Sequence, residues 1–247
     1  MNVFERHGIT HLSASSLGLY RDQPAAWVCR YLLRVKDEAG PGAWRGTATE
    51  AGMDMFLFGQ PENATKAMHL AFEERAAGVA DDKTVKERQA LPMFLAQARL
   101  ALESKGTPLT RQTKSKIEIP GLAVPIIGFS DWMWPDVGRD LKTTWALPSN
   151  PKPEHIDQMA IYMEATGKPF ELVYVTPKKH AIYPISAQQA AEGMARVRRG
   201  ALAIQHMLGK VDSGEDALRL YTPDYSSFYW SAEMVLAANK VLEGAPA

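Results

Sequence analysis

The stretch Asp131-Trp-Met-Trp-Pro-Asp-Val-Gly-Arg-Asp140-Leu-Lys142 decides the fold prediction, because it reads as two strands joined by a short turn. Residues 135–138 have the composition of a turn. Side chains at positions i and i+2 of a strand point to the same face of a sheet, so we expect Asp140 and Lys142 to project together. A hairpin at this turn would bring Asp131 beside them.

Asp131 lies in line with apolar residues of the first strand. By the period of two, Ile127, Phe129 and Met133 share its face, and we expect that face to be buried. A buried carboxylate is costly unless it is paired or bound to a cation. For Asp131 alone, a salt bridge to Arg139 or a turn-capping role explains the residue equally well. Two carboxylates and an ammonium together favour a magnesium site that cleaves phosphodiesters.

Helical patterns precede and follow this hairpin. We predict helices over residues 12–36 (divided at Pro24), 44–58, 64–77, 84–105 (interrupted or started by Pro92), 154–166, from 186 onward, and 227–242. We predict strands over residues 114–119, 123–134, 139–144, 170–176 and 180–185. The order of elements favours an α/β or α+β fold, with N-terminal and C-terminal helical segments around the sheet. We treat residues 1–247 as a single domain, with helical residues 1–110, a sheet core 111–186 and helices 187–247.

Composition excludes several classes of protein. Cys29 is the only cysteine, so an intrachain disulfide is impossible and an iron–sulfur cluster is not expected. The formal net charge is zero, which argues against a protein that coats nucleic acid through its overall charge. No apolar run reaches the roughly 18 residues of a membrane span, and the N-terminus lacks a signal-peptide pattern. We therefore expect no membrane association and a cytoplasmic location.

Gln158 and Tyr162 are spaced i, i+4 on the helix predicted after the hairpin, so they share a face. His155 lies one turn earlier on the same helix. The pair is compatible with an ordinary surface stripe in which Tyr162 is partly buried. It is also compatible with an amide and a phenol that line the same cleft as the acidic hairpin and contact a phosphate or a base.

Four blocks of sequence carry a resemblance to a known family. They are Leu12-Ser-Ala-Ser-Ser-Leu-Gly-Leu-Tyr20 with Pro24-Ala-Ala-Trp27 and Arg30-Tyr31; Trp44-Arg-Gly46-Thr-Ala-Thr-Glu50-Ala; Gly128-Phe-Ser-Asp131 with Asp140-Leu-Lys142-Thr-Thr; and Gln158-Met-Ala-Ile-Tyr162. In this order they resemble the RecB-like and phage-exonuclease-like branch of the PD-(D/E)XK nuclease superfamily. The resemblance covers roughly residues 12–165, and the combination of blocks is more specific than any one of them.

The resemblance implies a restriction-endonuclease-like fold, with a central mixed β-sheet flanked by helices, and a catalytic site. Glu50, Asp131, Asp140 and the carbonyl of Leu141 would hold one or two Mg²⁺ or Mn²⁺ ions. Lys142 would position the attacking water, and Gln158 and Tyr162 would steady Lys142 or the substrate. Many RecB-like nucleases have a histidine where this chain has Glu50, and some relatives carry iron–sulfur cysteines that this chain lacks.

The resemblance also implies a DNA substrate. Six basic residues are candidates to contact phosphates: Lys114, Lys116, Lys178, Lys179, Arg196 and Arg199. Four tryptophans are candidates to stack on bases, although core packing explains them as well: Trp44, Trp132, Trp134 and Trp145. Exonucleolytic cleavage at DNA ends in recombination, repair or phage DNA processing is the expected activity. A recombination protein or a single-strand-binding protein is an expected partner, and the oligomeric state stays open.

Three alternatives remain at this level. The chain could be an endonuclease of the same superfamily, or a nucleic-acid-binding module that keeps the fold without turnover. It could also be a different phosphoryl-transfer hydrolase with an acidic metal site. No glycine loop of the G-x-x-x-x-G-K-[ST] type occurs in the sequence, so no helicase motor is expected.

Overall fold

A computed structural model describes residues 1–36 and 39–244. Its α-helices are α1 (Val3–Arg6), α2 (Ala14–Asp22), α3 (Pro24–Tyr31), α4 (Pro41–Leu57), α5 (Ala64–Ala76), α6 (Asp82–Leu102), α7 (Pro153–Thr166), α8 (Ala187–Leu208), α9 (Gly214–Leu218) and α10 (Ala232–Glu243). Its strands are β1 (Thr110–Ile117), β2 (Ile126–Met133), β3 (Gly138–Thr143), β4 (Phe170–Val175) and β5 (His180–Pro184).

The five strands form one mixed sheet in the order β1-β2-β3-β4-β5. β2 and β3 pair antiparallel, as predicted for the hairpin, with Trp132 opposite Arg139. β3 and β4 are parallel, and the chain returns between them through α7. β5 then pairs antiparallel with β4. Parallel neighbours need such a crossover connection, which is why a helix separates these two strands in the sequence.

The described residues divide into two compact units. Unit 1 comprises residues 1–36, 116–128 and 191–244, and unit 2 comprises residues 39–115 and 129–190. Each unit combines separate stretches of the chain, whereas the sequence-based division into 1–110, 111–186 and 187–247 follows chain order. That division and the single-domain assignment stay predictions.

Unit 2 has its core between the sheet and the helices α4 and α6. Residues from these helices pack against residues from β2, β3 and β4 and the turn that joins β2 to β3, all of them buried: Met53, Leu57, Ala90, Phe94, Ala98, Ala101, Leu102, Trp132, Trp134, Val137, Leu141, Val173 and Val175. A smaller cluster joins α4 to α5 and α6. Burial of this apolar area is the main favourable term that holds α4 against the sheet.

Unit 1 is mostly helical. Trp27 of α3 is fully buried between Tyr20 and Tyr31, with ring centroids 5.5 and 5.2 Å away. The hydroxyls of Tyr20 and Tyr221 are 2.9 Å apart, and Leu12 forms an isolated parallel bridge with Ile126. These contacts hold the N-terminal helices against the later parts of the same unit.

Several predicted boundaries were wrong. α6 runs through Pro92 without a break, because Leu91 and Phe94 on either side are buried in the core and hold the helix together despite the lost hydrogen bond. The last helix begins at Ala232 and not at 227, because the Ser231 side chain accepts the N–H of Met234 and caps the helix there. β1 begins at Thr110 and not at 114, and the short helices α1 and α9 were not predicted.

The buried face predicted for β2 is also only partly correct. Met133 and Asp131 are buried, but Phe129 is 50% exposed. The alternation of a strand identifies which side chains share a face, and it does not reveal how far along the strand other elements cover that face. Between residues 1 and 36 and between 39 and 244, no helix combines the length and apolar character needed to cross a bilayer.

Gly138 at the start of β3 provides a test of this packing. A Cβ atom at this position would lie 2.3 Å from the Phe170 ring and 2.8 Å from the Met133 sulfur. We expect Gly138→Ala to lower the free energy of unfolding by about 1–3 kcal/mol, as overpacking does. Urea denaturation measures this value. Gly42→Ala is the control, because its Cβ would meet open space in α4 and should leave stability unchanged or slightly raised.

Candidate active site

Asp140 and Lys142 lie two residues apart on β3, and their side chains meet on one face of the sheet. The Lys142 ammonium is 2.5 Å from Asp140 Oδ2. Asp140 is almost fully buried, whereas the Lys142 side chain keeps 22% of its exposure. The strand therefore places a buried carboxylate and a partly accessible cation side by side, as the alternation of β3 predicts.

Asp131 of β2 is bound to the neighbouring strand through its carboxylate. Asp131 Oδ2 accepts the backbone N–H of Leu141 at 2.7 Å, and Oδ1 lies 3.4 Å from the Gln112 amide nitrogen. The alternative salt bridge from Asp131 to Arg139 is absent from the described contacts, because Arg139 instead pairs with Glu171 at 2.7 Å. Asp131 is thus held beside Asp140 with no arginine to neutralise it.

Glu50 reaches the same place from α4. Five residues before it on α4, Arg45 makes a buried ion pair with Glu87 of α6 and donates a hydrogen bond to the carbonyl of Thr143 at 3.1 Å. This contact fixes α4 against the end of β3. Glu50 then lies close enough to Asp140 and Lys142 for their charges to affect its ionisation.

The crowding of carboxylates changes their acidity. Burial, followed by repulsion from Asp140, raises the pKa of Glu50 to about 7. Burial and the charges of Asp140 and Glu50 raise the pKa of Asp131 well above its usual range. Burial alone would lower the pKa of Lys142, but attraction to Asp140 and Asp131 outweighs it and raises that pKa. Ionisation of both Glu50 and Asp131 is therefore unfavourable here unless a further cation is present.

A chain of hydrogen bonds orients Lys142. The Tyr162 hydroxyl donates to the carbonyl of Phe129 at 2.6 Å, so its oxygen is free to accept from Gln158 Nε2 at 2.7 Å. The other end of the amide, Gln158 Oε1, then accepts from Lys142 Nζ at 2.9 Å. Because each donor in the chain fixes the next acceptor, the amide has one favourable orientation. The i, i+4 pair on α7 thus faces the acidic hairpin.

His155, one turn before Gln158, is half-buried beside Tyr174. The imidazole Nδ1 and the Tyr174 hydroxyl are 2.5 Å apart, and the backbone N–H of Lys152 donates to the same hydroxyl at 3.2 Å. A neutral ring with its proton on Nε2 lets Nδ1 accept from the hydroxyl. Burial, with repulsion from Lys142 and Lys152, lowers the pKa of His155 to about 3.

Sequence reasoning missed two residues at this site. Asp54, one turn after Glu50, accepts from Trp132 Nε1 at 2.7 Å and from Arg111 at 2.8 Å. Its i, i+4 spacing from Glu50 was a usable signal. Gln112 lies in the left-handed region, with φ of 46°. No sequence pattern marks a glutamine for that conformation, which glutamine rarely adopts.

The six basic candidates fall in both units. Lys114, Lys178 and Lys179 are exposed on unit 2, and Lys178 and Lys179 lie in a turn closed by the Thr176 hydroxyl. Lys116, Arg196 and Arg199 belong to unit 1, where Lys116 pairs with Glu118 at 2.9 Å. Their contact with phosphates stays a prediction.

The tryptophans divide differently. Trp132 and Trp134 are buried in the core, so neither is available to stack on a base. Trp44 is half-buried and packs edge-on against Phe72. Trp145 is 42% exposed, with Lys86 4.4 Å from its ring centroid.

Within residues 1–36 and 39–244, no three histidine, cysteine or acidic side chains converge closely enough to enclose a metal ion. The contacts described above account for this. Asp140 Oδ2 faces the Lys142 ammonium, and Asp131 Oδ2 faces a backbone N–H. A cation would have to compete with these two partners for the carboxylate oxygens.

Comparison with known proteins gives a family and a fold. The model of the PD-(D/E)XK nuclease superfamily matches residues 11–227. Among solved structures, a candidate exonuclease from Eubacterium rectale superposes with a TM-score of 0.60, at 15% identity, over 88% of this chain and 89% of that one. At this identity the likeness concerns the fold alone. No curated protein matches the chain.

Two further structures are also 15% identical to this chain. They are SSO0001, with a TM-score of 0.32 over 74% of this chain and 81% of that one, and LHK-Exo in complex with dAMP, with 0.36 over 73% and 97%. These scores are too low to support an argument.

The half-buried neutral His155 predicts a specific loss of stability in acid. The unfolded chain binds a proton on this ring below about pH 6.5, whereas the folded protein resists it down to a pKa of about 3. The stability contribution therefore falls as the pH drops through that window. Between about pH 7 and 5.5, the wild type should lose roughly 1 kcal/mol more than His155→Asn, whose amide keeps a polar atom near Nδ1. Urea titrations at both pH values measure the difference, and equal losses would contradict the assignment.

Proposed function

The chain belongs to the PD-(D/E)XK nuclease superfamily, and we propose that it is a metal-dependent DNA nuclease that acts as an exonuclease on DNA ends. The observation that carries this proposal is that Asp131 binds the backbone of β3 next to the Asp140–Lys142 pair in unit 2, with Glu50 near enough for the charge of Asp140 to raise its pKa. Membership of a nuclease superfamily and the presence of these acids and a lysine both support phosphodiester cleavage. The exonucleolytic mode and the DNA substrate are finer proposals.

The carboxylates fit a divalent metal by charge and by donor type. When all three are ionised they carry three negative charges, against one positive charge on Lys142. Burial first, and the charge of Asp140 second, raise the pKa of both Glu50 and Asp131, so their ionised forms are disfavoured without a further cation. Mg²⁺ and Mn²⁺ prefer oxygen ligands, and a divalent ion would offset the excess. We assign Glu50, Asp131, Asp140 and the carbonyl of Leu141 as its ligands.

When bound, such an ion supplies Lewis-acid stabilisation of phosphate oxygens and lowers the pKa of coordinated water. The chain's own residues supply the rest. Lys142 offers its N–H groups to the attacking water and to charge that develops on the scissile phosphate. Gln158 holds the ammonium in place, and Tyr162 holds Gln158. Because the phenol is buried near Asp140, its pKa is raised and it stays a neutral donor.

The wider role follows from the same proposal. Lys114, Lys116, Lys178, Lys179, Arg196 and Arg199 are the proposed contacts to the DNA backbone. If they act in this way, binding should weaken as salt rises, because each neutralised phosphate releases counterions. Recombination, repair or phage DNA processing in the cytoplasm, with a recombination or single-strand-binding partner, is the process we propose.

One observation favours a second candidate, a nucleic-acid-binding module without turnover. Lys142 contacts Asp140 directly, and the Leu141 N–H already holds Asp131, so the acids have partners without a metal. Such a module would bind DNA equally well with a chelator and would not cut. The raised pKa values argue against it, since a site with no metal gains nothing from crowded carboxylates.

Cleavage of labelled DNA with Mg²⁺ or Mn²⁺ tests the proposal. We expect Asp140→Asn and Lys142→Met each to lower the rate by about 10²–10³-fold, because each removes charge that acts on the reacting phosphate. The control is Asp136→Asn, an exposed acid in the β2–β3 turn that pairs only with Lys105 among the described contacts. This control should cut at the wild-type rate. No cleavage by the wild type, or full cleavage by either site variant, would refute the proposal.

Substrate form separates the exonuclease from an endonuclease. We expect linear duplex or single-stranded DNA to be degraded from an end label, while covalently closed circles of both kinds stay intact. Cutting of closed circles at the same rate would identify an endonuclease of the same superfamily. Adding DNA oligomers and RNA oligomers of matched sequence to the same assay identifies the preferred polymer.

A further inference from the structure

Unit 1 contains a cavity of about 400 Å³ that the catalytic proposal does not use. It is lined by the loop after α1, the start of α2 and the end of α3: Gly8, Ile9, Thr10, His11, Ser13, Ser16, Arg30, Tyr31 and Arg34. Its volume falls within the roughly 300–1,000 Å³ range of small-molecule sites. All of its lining residues belong to one compact unit.

The lining has one sign of charge. Arg30 and Arg34 contribute two guanidinium groups, and His11 adds a group that can become cationic, whereas none of the nine lining residues is acidic. Arginine offers several N–H donors in a planar fork that matches the oxygens of a phosphate. Two such groups in one cavity therefore favour an anion over a neutral or cationic ligand.

The backbone is strained where it presents one of these arginines. Arg34 has φ of 55°, in the left-handed region that non-glycine residues rarely adopt. Its neighbour across the cavity, Gly8, also has a positive φ of 67°, and a Cβ atom there would lie 2.2 Å from an Arg34 guanidinium nitrogen. The positive φ of Gly8 favours glycine at this position, and the absence of a Cβ atom lets the Arg34 guanidinium lie directly against its backbone. Such strain is concentrated at sites with a function.

The remaining lining groups suit the same ligand. Tyr31 is half-buried, and its hydroxyl interacts with Arg30. The side chains of Ser13 and Ser16 form the capping box of α2, so this wall of the cavity is the start of a nine-residue helix. The positive end of a helix dipole adds to the attraction that the two arginines exert on an anion.

We propose that this cavity binds a phosphate group through Arg30 and Arg34, either on a nucleic-acid strand or as a free phosphate. The site is separate from the carboxylate cluster in sequence and in unit. Its occupancy does not depend on a bound metal. Phosphate binding at this cavity can therefore be tested whether or not the protein cleaves DNA.

Calorimetric titration of the full chain with inorganic phosphate, at low ionic strength and with a chelator, tests this site directly. The chelator removes any metal through which the carboxylate cluster could hold phosphate. We expect saturable binding by the wild type. We expect Arg30→Gln and Arg34→Asn each to raise Kd about tenfold or more, as for the loss of a hydrogen bond to a charged group.

Asparagine is chosen at position 34 so that a loss of phosphate binding cannot be attributed to a loss of folding. Asparagine tolerates the left-handed conformation better than arginine, so Arg34→Asn should unfold at the same temperature as the wild type or higher. Lys210→Gln is the matched control, because Lys210 is an exposed cation of unit 1 that does not line the cavity. Absence of wild-type binding, no effect of Arg34→Asn, or equal weakening by Lys210→Gln would overturn the proposal.

The source of the phosphate is resolved by two more probes under the same conditions. Deoxyadenosine monophosphate tests a free nucleotide, and a short oligodeoxynucleotide with and without a terminal phosphate tests a strand. Sensitivity of either probe to Arg34→Asn supports the site and identifies its ligand. Binding of both probes with affinities that Arg30→Gln and Arg34→Asn leave unchanged would contradict it.

Discussion

The site in unit 2 is dominated by buried carboxylates that lie near one another with a single lysine beside them. Asp140 is almost fully buried on β3, with Lys142 as its cation, and burial together with the charge of Asp140 raises the pKa of both Asp131 and Glu50. A hydrophobic core would be more stable without these groups, since buried carboxylates cost free energy unless they are fully paired. Their presence against the central strand β3 agrees with the proposal of a ligand of opposite charge.

The surrounding helices and strands hold Glu50 and Lys142 in position. Arg45 connects α4 to α6 and to the end of β3, which brings Glu50 to the sheet. The hydrogen-bond chain from Phe129 through Tyr162 and Gln158 ends on Lys142. Both supports come from rigid helices and strands, which fix a reacting group more closely than loops do. The proposed catalytic residues thus depend on contacts from helices on separate stretches of the chain.

Sequence reasoning predicted the hairpin and the helix between β3 and β4, because strand alternation and helical periodicity are local properties. The mixed sheet was implied by the family resemblance. The face shared by Asp140 and Lys142 follows from the period of two, and the pairing of Gln158 with Tyr162 follows from the helical spacing. Alternation could not show that Phe129 is exposed, because coverage of a face is a tertiary property. The partners of Asp131 and the strained Gln112 depend on contacts between distant segments, so no local pattern indicated them.

Metal binding to the carboxylate cluster tests the central claim most directly. Titration of Mn²⁺ into the wild type, followed by calorimetry and by thermal unfolding, measures affinity and stabilisation without relying on cleavage. We expect saturable binding and a higher unfolding temperature for the wild type, with both effects lost in Asp131→Asn and kept in Asp136→Asn. Absence of binding by the wild type, or equal binding by Asp131→Asn, would contradict the claim that the crowded carboxylates form a metal site.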